Sequence, residues 1–340
     1  MPTPFSSLLR GVNRVKNDKL NILLINHDEQ FQEALSKTNN NFFLLSLPNL
    51  RQWDRKVRDI PSNFRILAGN SIQEQIKIDL AIDLIISQNR HEQYPILSQI
   101  SKQMSCPIIS FDNHLYNVNM NQFYVRNLSD QIYNHNIFCS KFAAESWGFD
   151  SGDTNISIIS KCINTDIFNT WNGSDGHILT MVDLYEQKGK MTGFQLWMKL
   201  KQKFKMNPWG NCPGLCNPAS NIQKRLQLYK NCSVFLDTSF WSCASFELLE
   251  AMSCGCPVVV TKIGDHSDLI ENGVNGFITN NENEIDDYLT TLLNNKKLAK
   301  ELGDNAKKTV LEKFNLDIFS NEVDSIFRQY IDKPCSLLVN

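Results

Sequence analysis

A short polar loop that leads into a helix is the part of this sequence best suited to hold an anion. Val234 to Leu236 are apolar and β-prone, and Thr238 to Ser245 are polar or small. Phe246 to Cys254 form a predicted helix that ends before Gly255. The first amides of a helix lack intrahelical partners and the helix dipole is positive there, so this junction predicts an anion site. Glu250 lies one turn into the helix, where its carboxylate could accept two hydrogen bonds from a diol.

The elements around this loop predict an α/β fold. Pro257 to Val260 is a second apolar run, too short for a helix and flanked by turn residues, so it predicts a strand. Earlier strands are predicted over Leu20 to Asn26, Phe42 to Leu47, Phe64 to Leu67, Leu84 to Ser87, Pro107 to Phe111, Ile137 to Cys139 and Ile156 to Ser160, with a helix over Tyr94 to Met104. Such alternation predicts a parallel sheet with right-handed crossovers.

Ligands of such sheets bind beyond the carboxyl ends of the strands. His114 and Gln88-Asn89 follow predicted strands directly, which makes them candidates for a binding edge. The loop Asn169 to Gly176 predicts a domain boundary. The second half continues with a strand over Ile178 to Val182, helices over Phe194 to Phe204 and Ile222 to Lys230 with a loop between them through Pro218, and a helical pattern from 284 to 332.

Composition limits the class of protein. The chain has 340 residues, enough for two domains, and a formal net charge of −2, which gives no strong field toward nucleic acid or membranes. We find no run of eighteen apolar residues and no secretory signal, so the cytoplasm is the expected compartment. The ten cysteines are scattered in apolar surroundings that suit reduced thiols. Cys212 and Cys216 lack a second pair at metal-ligand spacing, so a turn is favoured over zinc.

The segment Ser233 to Gly276 resembles the retaining GT-B glycosyltransferases of glycosyltransferase family 4. Their loop reads P-S-x-x-E-G-F-G, followed by E-A-M-A-x-G-x-P-V-V; here Thr238 to Ser245 and Glu250 to Val259 take these places without a gap. The segment from Gly264 to Gly276 is similar to the family's G-G-x-x-E-I-I and D-G-x-N-G motifs. Weaker similarity covers roughly residues 105 to 320, including Ile178 to Gly189 against I-L-x-V-G-R-L-x-x-x-K-G.

The resemblance implies two Rossmann-like domains that face each other across a cleft. It implies an acceptor domain over 1–168, a nucleotide-sugar domain over 169–315 and a last helix over 316–340 that crosses back to the first domain. Lys188 aligns with the family's diphosphate-binding lysine, and His114 would approach the sugar. The implied donor-binding residues are Ser239, Ser242, Cys243, Ala244, Ser245, Phe246 and Glu250. No metal or other cofactor is expected, the substrate is a nucleotide-diphosphate sugar, and the acceptor is a glycan, lipid-linked sugar, protein or modified nucleic acid.

Two positions depart from the family pattern, and they leave three hypotheses open. Asp183 stands where the family has arginine, and Ser242 replaces the first glutamate of the E-x7-E pair. Possible replacement cations are Lys190, Lys161 and Lys262. The favoured hypothesis is an active retaining transferase with an altered donor pocket. The second is a degenerate homologue that binds a nucleotide, glycan or protein without turnover. The third is a transferase for modified DNA bases, for which the basic segment Lys199 to Lys205 is the modest indication.

Overall fold

The computed structural model describes residues 19–331, except 56–57, 77–79, 91, 117–120 and 244. The chain divides into two compact units. The first unit runs to Ser160 and takes up the chain again from Phe319, and the second comprises Lys161–Ile318. Each unit is built on one sheet whose neighbouring strands are all parallel. This confirms the predicted α/β class with two Rossmann-like domains.

The first unit contains a seven-stranded sheet in the order β3-β2-β1-β4-β5-β6-β7. Its strands are β1 (Asn21–Ile25), β2 (Asn41–Leu45), β3 (Phe64–Ile66), β4 (Leu84–Ser87), β5 (Ile108–Asp112), β6 (His135–Phe138) and β7 (Ile156–Ile158). Its helices are α1 (Glu29–Leu35), α2 (Ile72–Gln75), α3 (Tyr94–Met104), α4 (Gln122–Ile132) and α5 (Lys141–Ser146). The central strands β4 and β5 are buried at every residue, as expected for a parallel sheet covered on both faces.

The second unit contains a five-stranded sheet in the order β12-β11-β10-β8-β9. Its strands are β8 (Ile178–Met181), β9 (Met206–Trp209), β10 (Val234–Asp237), β11 (Val258–Val260) and β12 (Phe277–Ile278). Its helices are α6 (Tyr185–Lys188), α7 (Phe194–Lys201), α8 (Ile222–Asn231), α9 (Phe246–Cys254), α10 (His266–Leu269), α11 (Glu282–Asn294) and α12 (Lys296–Lys313). The last helix, α13 (Leu316–Ile331), begins in this unit and ends in the first.

Strand β9 corrects the prediction of a continuous loop through Pro218. Among the described strands it pairs only with β8, at the edge of the sheet, with Thr180 opposite Pro208 and Met181 opposite Trp209. The carbonyls of Lys205 and Trp209 accept from β8, so the odd-numbered residues bond inward and Pro208 faces the free edge. Proline lacks an N–H and is tolerated at such a position, but it hides the strand from sequence patterns.

The segment before β8 packs with the second unit. Ile163 and Phe168 are buried in its core, and the Trp171 indole N–H donates to the carbonyl of Cys232 at 2.6 Å. Trp171 belongs to the predicted boundary loop Asn169 to Gly176, so this hydrogen bond attaches the loop to the second unit. Similarly, Phe319 of α13 lies 5.8 Å from the Phe31 ring and 5.9 Å from the Phe111 ring within the first unit.

Across the part of the chain that the structure describes, no helix combines the length and the apolar content needed to span a bilayer.

Candidate functional site

The carboxyl edge of the second sheet carries Lys188 and the 238–245 loop, which sequence reasoning singled out. Three neighbouring strands, β8, β10 and β11, deliver loops to this edge. These are the 182–193 loop, which includes α6, the 238–245 loop, and the segment 261–265. In open parallel sheets this edge is where ligands bind.

The 182–193 loop and the 238–245 loop are joined by hydrogen bonds. The Tyr185 hydroxyl bonds to the Thr238 hydroxyl, which in turn donates to the carbonyl of Thr192 at 2.9 Å. The amides of Phe240 and Trp241 both donate to the carbonyl of Met191, at 2.8 and 3.1 Å. The 182–193 loop, which carries Lys188, and the 238–245 loop therefore lie together at this edge.

Gly193 permits this close approach. Its φ is +69°, and a Cβ placed there would lie 1.9 Å from the Thr238 carbonyl oxygen. We predict that Gly193→Ala lowers the free energy of unfolding by more than about 2 kcal/mol, because strain in the left-handed region adds to a backbone clash. Chemical denaturation measures the change. Gly176→Ala is the matched control, since Gly176 has φ +64° and open space around it, so its substitution tests the backbone cost alone. Equal effects of the two substitutions would contradict the close-approach argument.

The first turn of α9 presents unpaired amides. The Ser245 hydroxyl caps the helix by accepting from the Leu248 amide at 3.0 Å. Among the described residues, none accepts a hydrogen bond from the amides of Phe246 and Glu247. The Lys161 ammonium lies 5.2 Å from the centre of the Phe246 ring, so it adds positive charge at the same helix end. The helix N-terminus and a lysine thus form a region suited to an anion.

The predicted site residues in the 238–245 loop have different environments. Ser239 is buried, and the Ser242 hydroxyl donates to the carbonyl of Cys243 at 2.6 Å. Cys243 is also buried, and Ala244 lies outside the described residues. Because the Ser242 hydroxyl is engaged within the loop, it does not present the acceptor pair that a glutamate would offer at that position.

Glu250 is fully buried and belongs to a charged cluster that joins α8 to α9. Its Oε2 accepts from Arg225 Nε at 2.5 Å and from the Tyr229 hydroxyl at 2.8 Å, while Glu247 bonds the same guanidinium at 3.1 Å. Glu250 Oε1 is enclosed and has no hydrogen-bond partner in the described part of the chain. Burial raises the pKa of the Glu250 carboxyl, and the Arg225 charge opposes that rise.

Arg225 is a site residue that sequence reasoning missed. It lies 25 positions before Glu250, and the guanidinium reaches the carboxylate only because α8 packs on α9. One signal was available, since a glutamate on the buried face of an apolar helix requires a cationic partner. Tyr229 follows Arg225 by one helical turn, so both point at the same neighbour.

Asp183, which stands where the family has arginine, stabilises the structure around it. Asp183 Oδ1 accepts from the Asn211 amide at 2.6 Å and thereby fixes the loop that follows β9. Lys188 ends α6, is exposed, and pairs with no acidic group among the described residues. The edge therefore keeps an available cation although Asp183 is engaged elsewhere.

Cys212 and Cys216 close the loop after β9. Their backbones form an antiparallel bridge, and the Cys212 thiol donates to the carbonyl of Val182 at 3.1 Å. Burial raises the pKa of the Cys216 thiol to about 12, so this side chain stays protonated at neutral pH. These contacts of the two cysteines stabilise the conformation of the loop.

The lysines of the basic segment are partly neutralised. Lys199 bonds Glu282 at 2.7 Å, and Lys203 bonds Asp286 at 2.9 Å, both on α11. Lys201 lies 5.1 Å from the centre of the Trp197 ring. Ion pairs with α11 reduce the positive field that a DNA-binding surface would need.

His114 lies at the carboxyl edge of the first unit's sheet. It is exposed just beyond β5, and its ring centre is 5.7 Å from that of His27, which follows β1. Burial lowers the pKa of His27. At the same edge the Gln88 side-chain amide and Asn113 Oδ1 are buried without partners among the described residues. Unsatisfied buried groups of this kind are costly, which marks the edge as a polar region open to further interactions.

Comparison with known proteins places part of the chain in a family. Residues 220–309 match the family model described as "Glycosyl transferases group 1", so this segment, which includes Arg225 and Glu250, is a glycosyltransferase group 1 domain. Sucrose synthase of Melioribacter roseus is 27% identical over 158 residues, which are 44% of this chain and 20% of that protein. The matched segments span between 18% and 31% of the curated relatives' lengths.

Solved structures with similar backbones cover most of the chain. Anabaena Alr3699/HepE, solved in complex with UDP and glucose, has a TM-score of 0.68 and 13% identity over 91% of this chain and 100% of that one. Sucrose-phosphate synthase from Thermosynechococcus elongatus has a TM-score of 0.69 and 14% identity over 92% of this chain and 99% of that one. At such identity the likeness shows the fold alone, which is the GT-B fold expected from the sequence.

Proposed function

We propose, starting from the glycosyltransferase group 1 domain at residues 220–309, that this protein is a glycosyltransferase. It moves a hexose-type sugar from a nucleoside-diphosphate sugar to an acceptor, with retention of anomeric configuration. Breaking the sugar–phosphate bond builds negative charge on the departing diphosphate. A catalyst of this step needs preorganised cations and N–H dipoles aimed at that charge.

The arrangement at the start of α9 carries the proposal. The Phe246 and Glu247 amides, unpaired among the described residues, begin the helix that follows the 238–245 loop, and the exposed Lys188 belongs to the 182–193 loop. Hydrogen bonds hold these two loops together. Lys161 adds a second positive charge near the same helix end. These groups supply the charge stabilisation that a divalent ion gives elsewhere, so we propose that transfer proceeds without a metal cofactor.

The proposed roles of the remaining residues follow from their places. Glu250 is proposed to hold the ribose hydroxyls through Oε1, which requires the enclosing side chains to move because that oxygen is out of reach of solvent. His114 is proposed to contact the sugar. The first unit is proposed to bind the acceptor. The Gln88 side-chain amide and Asn113 Oδ1, which lack partners among the described residues, favour an acceptor that offers hydroxyl groups. The described cysteines form no disulfide with one another, which is typical of a reducing compartment, and the cytoplasm is the proposed location.

A degenerate homologue that binds a nucleotide without turnover is the second candidate. It is favoured by the contacts of the two residues that depart from the family pattern. Asp183 and Ser242 both form hydrogen bonds within the second unit, to Asn211 and Cys243. Losing a donor that acts on transition-state charge typically costs about 2.7–4 kcal/mol. Transfer to modified DNA bases is less favoured, because Lys199 and Lys203 are ion-paired.

Nucleotide binding tests the proposal and separates the candidates. We predict that one of UDP, GDP and ADP stabilises the protein by about 2.7 kcal/mol at a concentration one hundred times its dissociation constant. Differential scanning calorimetry and titration calorimetry measure this effect, with the matching nucleoside as control. Slow hydrolysis of the corresponding nucleotide sugar would then support the transferase, and binding without hydrolysis would support the degenerate homologue. Failure of all three nucleotides to bind would overturn both.

A further inference from the structure

A buried histidine lies beneath the 238–245 loop and is assigned no role by the family pattern. His266 falls on a variable position of the G-G-x-x-E motif, and it is the first residue of α10. Its side chain is fully buried. Thr261, which directly follows β11, is also fully buried, and Asp237 ends β10 with a side chain that is 12% exposed. Asp237 and Thr261 thus lie at neighbouring strand ends on the proposed donor edge, and His266 begins the helix that follows.

Two of these side chains hold both backbone polar groups of Ser239. The Ser239 amide donates to Asp237 Oδ1 at 2.9 Å, and the Thr261 hydroxyl donates to the Ser239 carbonyl. The Thr261 amide also donates to the Asp237 carbonyl at 3.1 Å, which joins the two strands at this point. Side-chain hydrogen bonds therefore fix the backbone where the loop leaves β10, in place of the backbone hydrogen bonds of a β-sheet.

His266 contacts both residues that hold Ser239. Its Nδ1 lies 3.0 Å from the Thr261 carbonyl oxygen, and its Nε2 lies 3.7 Å from Asp237 Oδ2. A carbonyl oxygen only accepts, so Nδ1 carries the hydrogen and donates it. Nε2 has no hydrogen-bond partner within the described part of the chain. Burying a polar ring is costly unless the ring is hydrogen-bonded, and here one nitrogen bonds the Thr261 carbonyl while the other faces Asp237, so the ring spans these two residues.

We infer that His266, Asp237 and Thr261 form a positioning network that sets the 238–245 loop for diphosphate binding. None of the three touches the ligand in this inference, which rests on the proposed function. The network fixes the loop at Ser239, and the Met191 carbonyl fixes it again at Phe240 and Trp241. The loop leads on to the α9 amides that are proposed to bind the diphosphate. Loosening the start of the loop therefore weakens binding of the diphosphate more than binding of the nucleoside.

Paired substitutions at Thr261 and His266 test the inference with the intact chain. Thr261→Val removes the hydroxyl at nearly constant volume, and Thr261→Ser keeps it. His266→Leu removes both ring nitrogens, and His266→Asn retains a donor near the Nδ1 position. Titration calorimetry compares binding of the nucleoside diphosphate that the wild type prefers (UDP, GDP or ADP) with binding of its nucleoside.

We expect Thr261→Val and His266→Leu to weaken diphosphate binding about tenfold, the effect of one lost hydrogen bond, with nucleoside affinity unchanged. Thr261→Ser and His266→Asn should recover most of the loss. Wild-type affinity in both disruptive variants would overturn the inference, as would an equal loss for nucleotide and nucleoside without recovery in the conservative variants. If His266→Leu does not fold, the Thr261 pair decides. Absence of nucleotide binding in the wild type would instead overturn the proposed function.

Discussion

Replacing Lys188 by alanine is expected to lower the rate of sugar release from a bound nucleotide sugar by about 10²–10³-fold. The expected loss is that of one group which stabilises transition-state charge, about 2.7–4 kcal/mol. The ammonium is exposed, ends α6 and is unpaired among the described residues, so its removal leaves no acidic group uncompensated. The fold should therefore persist, and the loss should appear in turnover more than in nucleotide affinity.

Lys230→Ala is the matched control for this prediction. Lys230 is also exposed and lies in the last turn of its helix, α8, before β10 begins, so its loss changes the net charge equally. Steady-state hydrolysis or transfer, with circular dichroism to verify folding, measures both variants. Full activity in Lys188→Ala would contradict the assignment of this lysine to the diphosphate. An equal loss in both variants would indicate a general effect of charge.

Replacing Glu250 by glutamine is expected to reduce the free energy of unfolding by about 3 kcal/mol. Removing one partner of a buried ion pair typically costs about 3–5 kcal/mol, and we take the lower end because the Arg225 side chain is 27% exposed. The substitution removes the charge that compensates Arg225 and weakens the acceptor for the Tyr229 hydroxyl. In a unit of this size the melting temperature should fall by about 6–12 °C.

Glu247→Gln provides the comparison for Glu250. Its carboxylate bonds the same guanidinium, but its side chain is 33% exposed, so the expected change is below about 1 kcal/mol. Urea denaturation measures both variants. Adding the single variant Arg225→Gln and the double variant of Arg225→Gln with Glu250→Gln gives the coupling energy between Arg225 and Glu250. A change in Glu250→Gln no larger than that in Glu247→Gln would show that the buried pair contributes little.

The sequence predicts the fold where the determinants are local. The helices Tyr94–Met104 and Phe246–Cys254 have the bounds that their apolar spacing and flanking residues indicate. Strand β9 was missed because Pro208 breaks the β pattern, and a proline is acceptable there only since the strand lies at the sheet edge. Edge position is a property of the whole sheet and cannot be inferred from four residues.

The candidate site was predictable in its location but not in its connections. The Ser245 cap and the open α9 amides follow from the local pattern of residues. Arg225 reaches Glu250, and Asp183 reaches Asn211, only through tertiary packing between separate elements. The contacts of His266 with Thr261 and Asp237 likewise depend on how strands β10 and β11 end side by side. The spacing of residues along the sequence does not predict such tertiary contacts.

The free edge of the second sheet has a consequence for the behaviour of the protein at high concentration. Pro208 replaces one of the donors that an incoming strand from another molecule would need, at a residue whose backbone points away from β8. Proteins commonly protect exposed edges from intermolecular β-pairing in this way. A residue that made the strand hard to recognise therefore helps to guard this edge against aggregation.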